Sequence, residues 1–161
     1  MTAPLFRGRV ARTAAVLVAA ASLGLSGCSF ATLQTYTPAV GVNVDAPTVK
    51  IRNLLIIADG SGQGMLSGAL VGSAADTLTG ITGFPVKIDA TEGEALTFGA
   101  VSVPVVAERL SKLDEAKITV SSPDLRAGLT AHLVLTFTNI GDVAVTVPVV
   151  SSENPDFASE G

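Results

Sequence analysis

LTAHLVLTFTNIGDVAVTVPVV, Leu129 to Val150, is the stretch that decides the fold. Leu129, Ala131, Leu133, Leu135 and Phe137 fall on one side of a strict alternation, with Thr130, His132, Val134 and Thr136 on the other. After the polar NIGD, Val143, Val145 and Val147 resume the same period. Successive side chains of a strand point to opposite faces, so a period of two on both sides of a short turn predicts a hairpin with one buried face.

Working outward, the same signal recurs in short runs broken by Gly, Pro, Asn and Asp. TVKIRNLLIIA (Thr48 to Ala58), MLSGALV (Met65 to Val71) and TLTGIT (Thr77 to Thr82) come first. PVKI (Pro85 to Ile88), LTFGAVSVPVVA (Leu96 to Ala107) and KITVSS (Lys117 to Ser122) follow. Only ERLSKLDE, Glu108 to Glu115, reads as a short helix, with Leu110 and Leu113 facing inward. The expectation is an all-β chain, a cupredoxin-like or immunoglobulin-like β-sandwich of about six to eight strands.

IIADGSGQGMLS, Ile56 to Ser67, is the one run that resembles a ligand loop. A dinucleotide fingerprint needs G-x-G-x-x-G opening a helix. Here Gly60, Gly62 and Gly64 give G-x-G-x-G, and Gly68 and Gly72 make the continuation a poor helix. A calcium loop begun at Asp59 would reach Leu70 at its twelfth position, where a bidentate acid is required. The stretch reads as a hairpin connection.

The N-terminus carries an address. Arg7, Arg9 and Arg12 precede an apolar run from Ala14 to Leu25, and then LSGC, Leu25 to Cys28. A basic start, a short apolar stretch and small residues are the parts of a secretory signal. The run is short for a membrane-spanning helix, which needs ~20 apolar residues. LSGC resembles the bacterial lipobox, which implies that Leu25, Ser26 and Gly27 present the cut to the signal peptidase and that the Cys28 thiol takes a diacylglyceryl group as a thioether. The expected organisation is 1–27 signal peptide, 28–47 lipidated N-terminus and tether, 48–150 sandwich and 151–161 acidic flexible tail. The protein is expected on the extracytoplasmic face of the cell membrane, held by lipid rather than spanning.

Charge and residue types then exclude functions. Beyond residue 27, seven basic residues face fourteen acidic ones, a net charge of about −7. Such a surface repels phosphate backbones, so no nucleic-acid partner is expected. Cys28 is the only cysteine, and once lipidated it leaves no thiol for disulfides or metal. His132 is the only histidine, and a Ser-His-Asp device would have to use it. No G-x-S-x-G elbow occurs, and His132 reads as an outward strand residue. Glu92 with Glu94 and Asp114 with Glu115 read as solvated charge, and Asp142 as turn chemistry. A glycosidase cleft is usually lined with aromatics, yet there is no Trp and the single Tyr, Tyr36, falls in the tether. No catalytic residue, no metal ligand and no cofactor is expected.

LRAGLTAHLVLTFTNIGDVAVTVPVV, Leu125 to Val150, resembles the end of the periplasmic copper chaperone PCuAC family, with its L-x-x-G, L-T-F strand, turn and V-P-V strand. DTLTGITG, Asp76 to Gly83, is similar to that family's D-x-L-x-G-V segment. With the lipobox added, the chain resembles the actinobacterial LpqE-type lipoproteins more closely still. The resemblance implies a cupredoxin-like or immunoglobulin-like sandwich across Thr48 to Val150. It does not bring the copper chemistry: the family's H-x-M pair would fall near Lys117 and Thr119, and the mature domain offers only Met65 and His132 as soft or imidazole donors. The expected function is therefore a non-enzymatic envelope lipoprotein that binds an unidentified envelope protein or glycolipid. The alternative is a copper-handling chaperone with an atypical site.

Overall fold

The computed structural model describes residues 40–154, which form an all-β sandwich of ten strands and one helical turn. The strands are β1 (Val42–Asp45), β2 (Val49–Ala58), β3 (Gln63–Gly72), β4 (Asp76–Pro85) and β5 (Thr97–Phe98). Then come β6 (Val103–Val105), β7 (Leu110–Lys112), α1 (Leu113–Ala116), β8 (Thr119–Ser121), β9 (Thr130–Phe137) and β10 (Gly141–Ser151). The hydrogen-bonded order is β5-β8-β3-β2-β10-β9-β4-β6, with β1 added to β2 and β7 to β3. The count exceeds the expected six to eight because four strands, β5 to β8, have only two or three residues.

The β9–β10 hairpin forms in the register that the alternation predicts, with Leu133 opposite Val145 and His132 opposite Thr146. Ala131, Leu133, Leu135 and Phe137 are buried, and so are Val145 and Val147. They meet Ile51, Leu54, Ile56, Leu66 and Leu70 from the other layer in one core. Each such buried aliphatic side chain stabilises the fold by about 1.5–3 kcal/mol.

β10 joins the two layers. Its first eight residues pair antiparallel with β9, and Val149, Val150 and Ser151 then pair parallel with Ile56, Ile57 and Ala58 of β2. Pro148 sits at the changeover. The Val149 N–H donates to the Leu129 carbonyl at 2.9 Å, so by strand alternation the Pro148 nitrogen faces away from β9, before the pairing with β2 begins. The missing N–H therefore costs no ladder bond.

β2 carries a bulge. Asn53 and Leu54 together oppose Gly68, between the Arg52–Ala69 and Leu55–Ser67 pairs. Asn53 adopts φ 50°, and its Oδ1 accepts the Gly41 N–H at 2.8 Å while its own N–H donates to Asn43 Oδ1 at 2.9 Å. Gly68 answers with φ 146° and lies so close that a Cβ would stand 3.1 Å from Leu54 Cα. An extra residue here lets Ile51 before the bulge and Leu54 after it face the same core. β1 belongs to the same sheet, so part of the stretch read as tether is a strand paired with β2.

The glycine run is the β2–β3 connection. Gly60 and Gly62 have φ of 82° and 88°, a region open to glycine at little steric cost. The Asp59 carboxylate accepts from the Ser61 hydroxyl and N–H, each at 2.8 Å, and from the Gln63 N–H at 3.3 Å. These bonds, the Ser61 hydroxyl foremost, hold Asp59 below the ordinary carboxylate range.

Three local expectations are corrected. ERLSKLDE is not one helix: Glu108 has φ 59°, Leu110–Lys112 forms β7 against β3, and only Leu113–Ala116 turns helically. Leu113 is fully buried, whereas Leu110 is 58% exposed. LTFGAVSVPVVA splits into β5 and β6, which join opposite ends of the strand order. PVKI ends as a strand at Pro85, and Ile88 stands 93% exposed on the turn that follows.

Candidate functional site

The outer face of β4, β9 and β10 carries a shallow hollow of about 670 Å³. It is built from transverse rows. Phe84, His132 and Thr146 are register partners across the three strands, and Thr82, Val134 and Ala144 form the next row. The small Ala144 and the aliphatic Val134 set a low floor, and the rings of Phe84 and His132 rise beside it with centroids 5.3 Å apart and planes tilted by 54°.

The chain from Val86 to Glu92 forms the opposite wall. It turns tightly, with the Lys87 N–H on the Thr91 carbonyl and the Ala90 N–H on the Lys87 carbonyl, both at 2.9 Å. Ala90 takes φ 62° at the bend. Thr91 donates through its hydroxyl and N–H to Asp89, and these bonds hold that carboxyl below its ordinary range. Val86 and Glu92 then bridge, which brings Glu92 to the rim.

His132 Nδ1 lies 2.8 Å from Thr146 Oγ1, and Nε2 has no partner among the described residues. The Glu92 carboxylate and the Thr82 hydroxyl are likewise without a partner there. No Lys or Arg lines the hollow. The site thus offers an apolar floor, two rings and three free polar groups of mixed donor and acceptor character. His132 points outward from the core, as the alternation predicts. Its ring meets a threonine and not a carboxylate, so the orienting acid of a hydrolytic triad is missing from its Nδ1 side.

The other sequence candidates scatter. Met65 lies half-buried on β3, opposite Thr119 of β8 and beside the core residue Leu66. Met65 therefore faces away from the core on one layer and His132 on the other, with β2 and β10 between their strands. Three inter-strand steps of about 4.8 Å separate them, far beyond the reach of two ligands to one ion. Lys117 is the left-handed residue that closes α1, and Thr119 is an exposed residue of β8 paired with Met65 of β3. Among the described residues no group of three or more His, Cys, Asp or Glu converges on a metal position.

Glu94 and Glu115 are exposed, Asp114 is half-buried, and Asp142 accepts the Thr136 hydroxyl across the hairpin at 2.7 Å. Leu25, Ser26, Gly27, Cys28 and Tyr36 lie outside the described residues. Nothing in the sequence marks Phe84 and Glu92, which complete the hollow, as partners of His132. Phe84 is 48 positions from its ring neighbour, a distance that no local spacing encodes.

No protein-family model matches the chain, and no curated protein does. Solved structures do. The copper-bound PCuAC domain from PmoF2 superposes with a TM-score of 0.51 at 18% identity, covering 68% of this chain and 98% of that one. The apo PCuAC domain from PmoF1 superposes with a TM-score of 0.53 at 13% identity, covering 68% and 99%. The chain has a PCuAC-like fold. At these identities the likeness is one of backbone architecture, and the PCuAC-like sandwich here carries its own set of side chains.

Proposed function

We propose that this protein is a non-enzymatic cell-envelope lipoprotein, anchored through Cys28 on the outer side of the membrane, whose PCuAC-like sandwich serves as a binding module. One observation carries the reading. Free polar groups gather in the hollow around His132, while the two side chains suited to copper stand on different layers, three strands apart. A shallow open surface suits recognition better than chemistry, which requires a nucleophile, base and orienting group in mutual reach. The lipobox supports the location, because two or more acyl chains hold a protein stably at a bilayer. No helix among the described residues is long and apolar enough to cross a membrane.

A second reading, copper handling with an atypical site, draws on the likeness to a copper-bound PCuAC domain. It requires donors other than a Met65–His132 pair, since those two do not meet.

Cys28→Ala tests the anchor. The wild-type chain is expected to begin at Cys28 with the added mass of its lipid and to partition into detergent. The variant is expected to keep residues 1–27 and to lack the lipid mass. Intact-mass spectrometry of both reads the result, and a wild-type N-terminus that is unlipidated or cut elsewhere contradicts the anchor.

A further inference from the structure

The hollow on β4, β9 and β10 has chemistry specific enough to name its ligand. We propose that it binds a neutral sugar ring of an envelope glycan. The inference rests on the binding-module reading and sharpens it.

Charge comes first. Neither Lys nor Arg lines the hollow, and its one ionic group is the unpaired Glu92 carboxylate. A phosphorylated or carboxylated ligand would meet repulsion and no counter-charge. An anionic ligand is therefore disfavoured at the site, while the hydroxyls of a neutral one can donate to Glu92.

Shape and polarity come next. Phe84 and His132 give adjacent ring surfaces, and Val134 and Ala144 a low apolar floor. Around this floor stand an acceptor only (Glu92), a hydroxyl (Thr82) and the free Nε2 of His132. A pyranose has this complementary build: one face of C–H groups to lie on rings, and a rim of hydroxyls that both donate and accept. The Thr146 hydroxyl holds the imidazole at Nδ1, so the ring is fixed before a ligand arrives.

A peptide fits less well. Chains that bind β-proteins by their backbone use a free strand edge. The hollow lies on the face of β9, whose backbone is spent on β4 and β10. Only side chains are left to grip a ligand, as a sugar needs. The open shape implies weak binding for one ring, with a Kd of ~1 mM.

The test is saturation-transfer NMR on the full chain in a detergent without a sugar headgroup, with neutral gluco-, manno- and galacto-tetrasaccharides and their phosphorylated counterparts. At least one neutral tetrasaccharide is expected to receive saturation on the C–H protons of one ring face. Phe84→Ala and His132→Ala are expected to weaken binding about tenfold each. Thr79→Ala, on the same outer face but away from the hollow, should leave it unchanged. Circular dichroism and thermal melts confirm that the variants are folded.

No transfer to any neutral sugar at about 10 mM, well above the expected Kd, overturns the proposal. So does binding that survives both ring variants, or binding confined to the phosphorylated sugars. Such a failure leaves the anchored-module reading standing, because that reading is tested by the lipid on Cys28 and by copper.

Discussion

Replacing Asp76 with alanine is expected to lower the stability of the domain by about 3 kcal/mol, measured by urea denaturation. Asp76 is only 6% exposed, yet it is a carboxylate. Its Oδ1 accepts the N–H groups of Thr77 at 2.7 Å and Asn139 at 2.9 Å, and its Oδ2 accepts that of Ile140 at 3.2 Å. The Asn139 side chain returns a bond to the Ala75 carbonyl at 3.1 Å. One side chain thus fastens the turn of the β9–β10 hairpin to the start of β4. Alanine leaves three donors without their acceptor, whereas Asp76→Asn keeps the shape and most of the acceptors and should cost about 1–2 kcal/mol.

The same bonds make the contribution depend on pH. Burial pushes the Asp76 carboxyl upward, but the N–H donors of Asn139, Thr77, Ile140 and Thr138 outweigh it and bring the group below its ordinary 3.8. A carboxyl lowered on folding adds stability that is fully present above its unfolded value. That stability is lost as pH falls through the folded value. Wild type and Asp76→Ala should therefore differ most at neutral pH and converge in acid. A gap that stays constant down to the acid limit, or a cost under about 0.5 kcal/mol at neutral pH, contradicts this role.

Gly83→Ala is expected to be as damaging, at about 3 kcal/mol, because the added methyl meets backbone and not a movable side chain. A Cβ on Gly83 would overlap the His132 carbonyl oxygen and stand 2.9 Å from Leu133 Cδ2. β4 and β9 would have to separate where they support the hollow. Gly80, on the same strand, is the control: its added Cβ would meet only Thr136 Cβ, at 3.7 Å. Gly80→Ala should stay within about 1 kcal/mol of wild type in the same denaturation series. Equal behaviour of the two variants would show that β4 and β9 do not approach as closely as the structure places them.

What could be read in advance follows from the range of each interaction. The β9–β10 hairpin, the β2–β3 turn and the outward face of His132 depend on alternation or turn chemistry within a few residues, and the alternation and glycines carry them. The switch of β10 from β9 to β2 depends on Ile56 to Ala58, some ninety positions earlier. Within β10 only Pro148 departs from a uniform strand pattern. Leu110 and Leu113 sit at helical spacing, but pairing of Leu110–Lys112 with β3 overrides that preference. LTFGAVSVPVVA is uniformly strand-forming, and nothing local tells that its two halves belong to different layers. The hollow was least legible, since Phe84, Glu92, His132 and Thr146 come together only through sheet register.

A PCuAC-like fold that serves binding, as proposed, is expected to lack a tight copper site. A Cu(I) competition titration of the full chain, run beside Met65→Leu and His132→Ala, tests it most directly. Weak, non-stoichiometric binding that neither substitution changes is the expected result. Tight one-to-one binding abolished by both substitutions would contradict it, because Met65 and His132 would then have to reach one ion across the two strands between them.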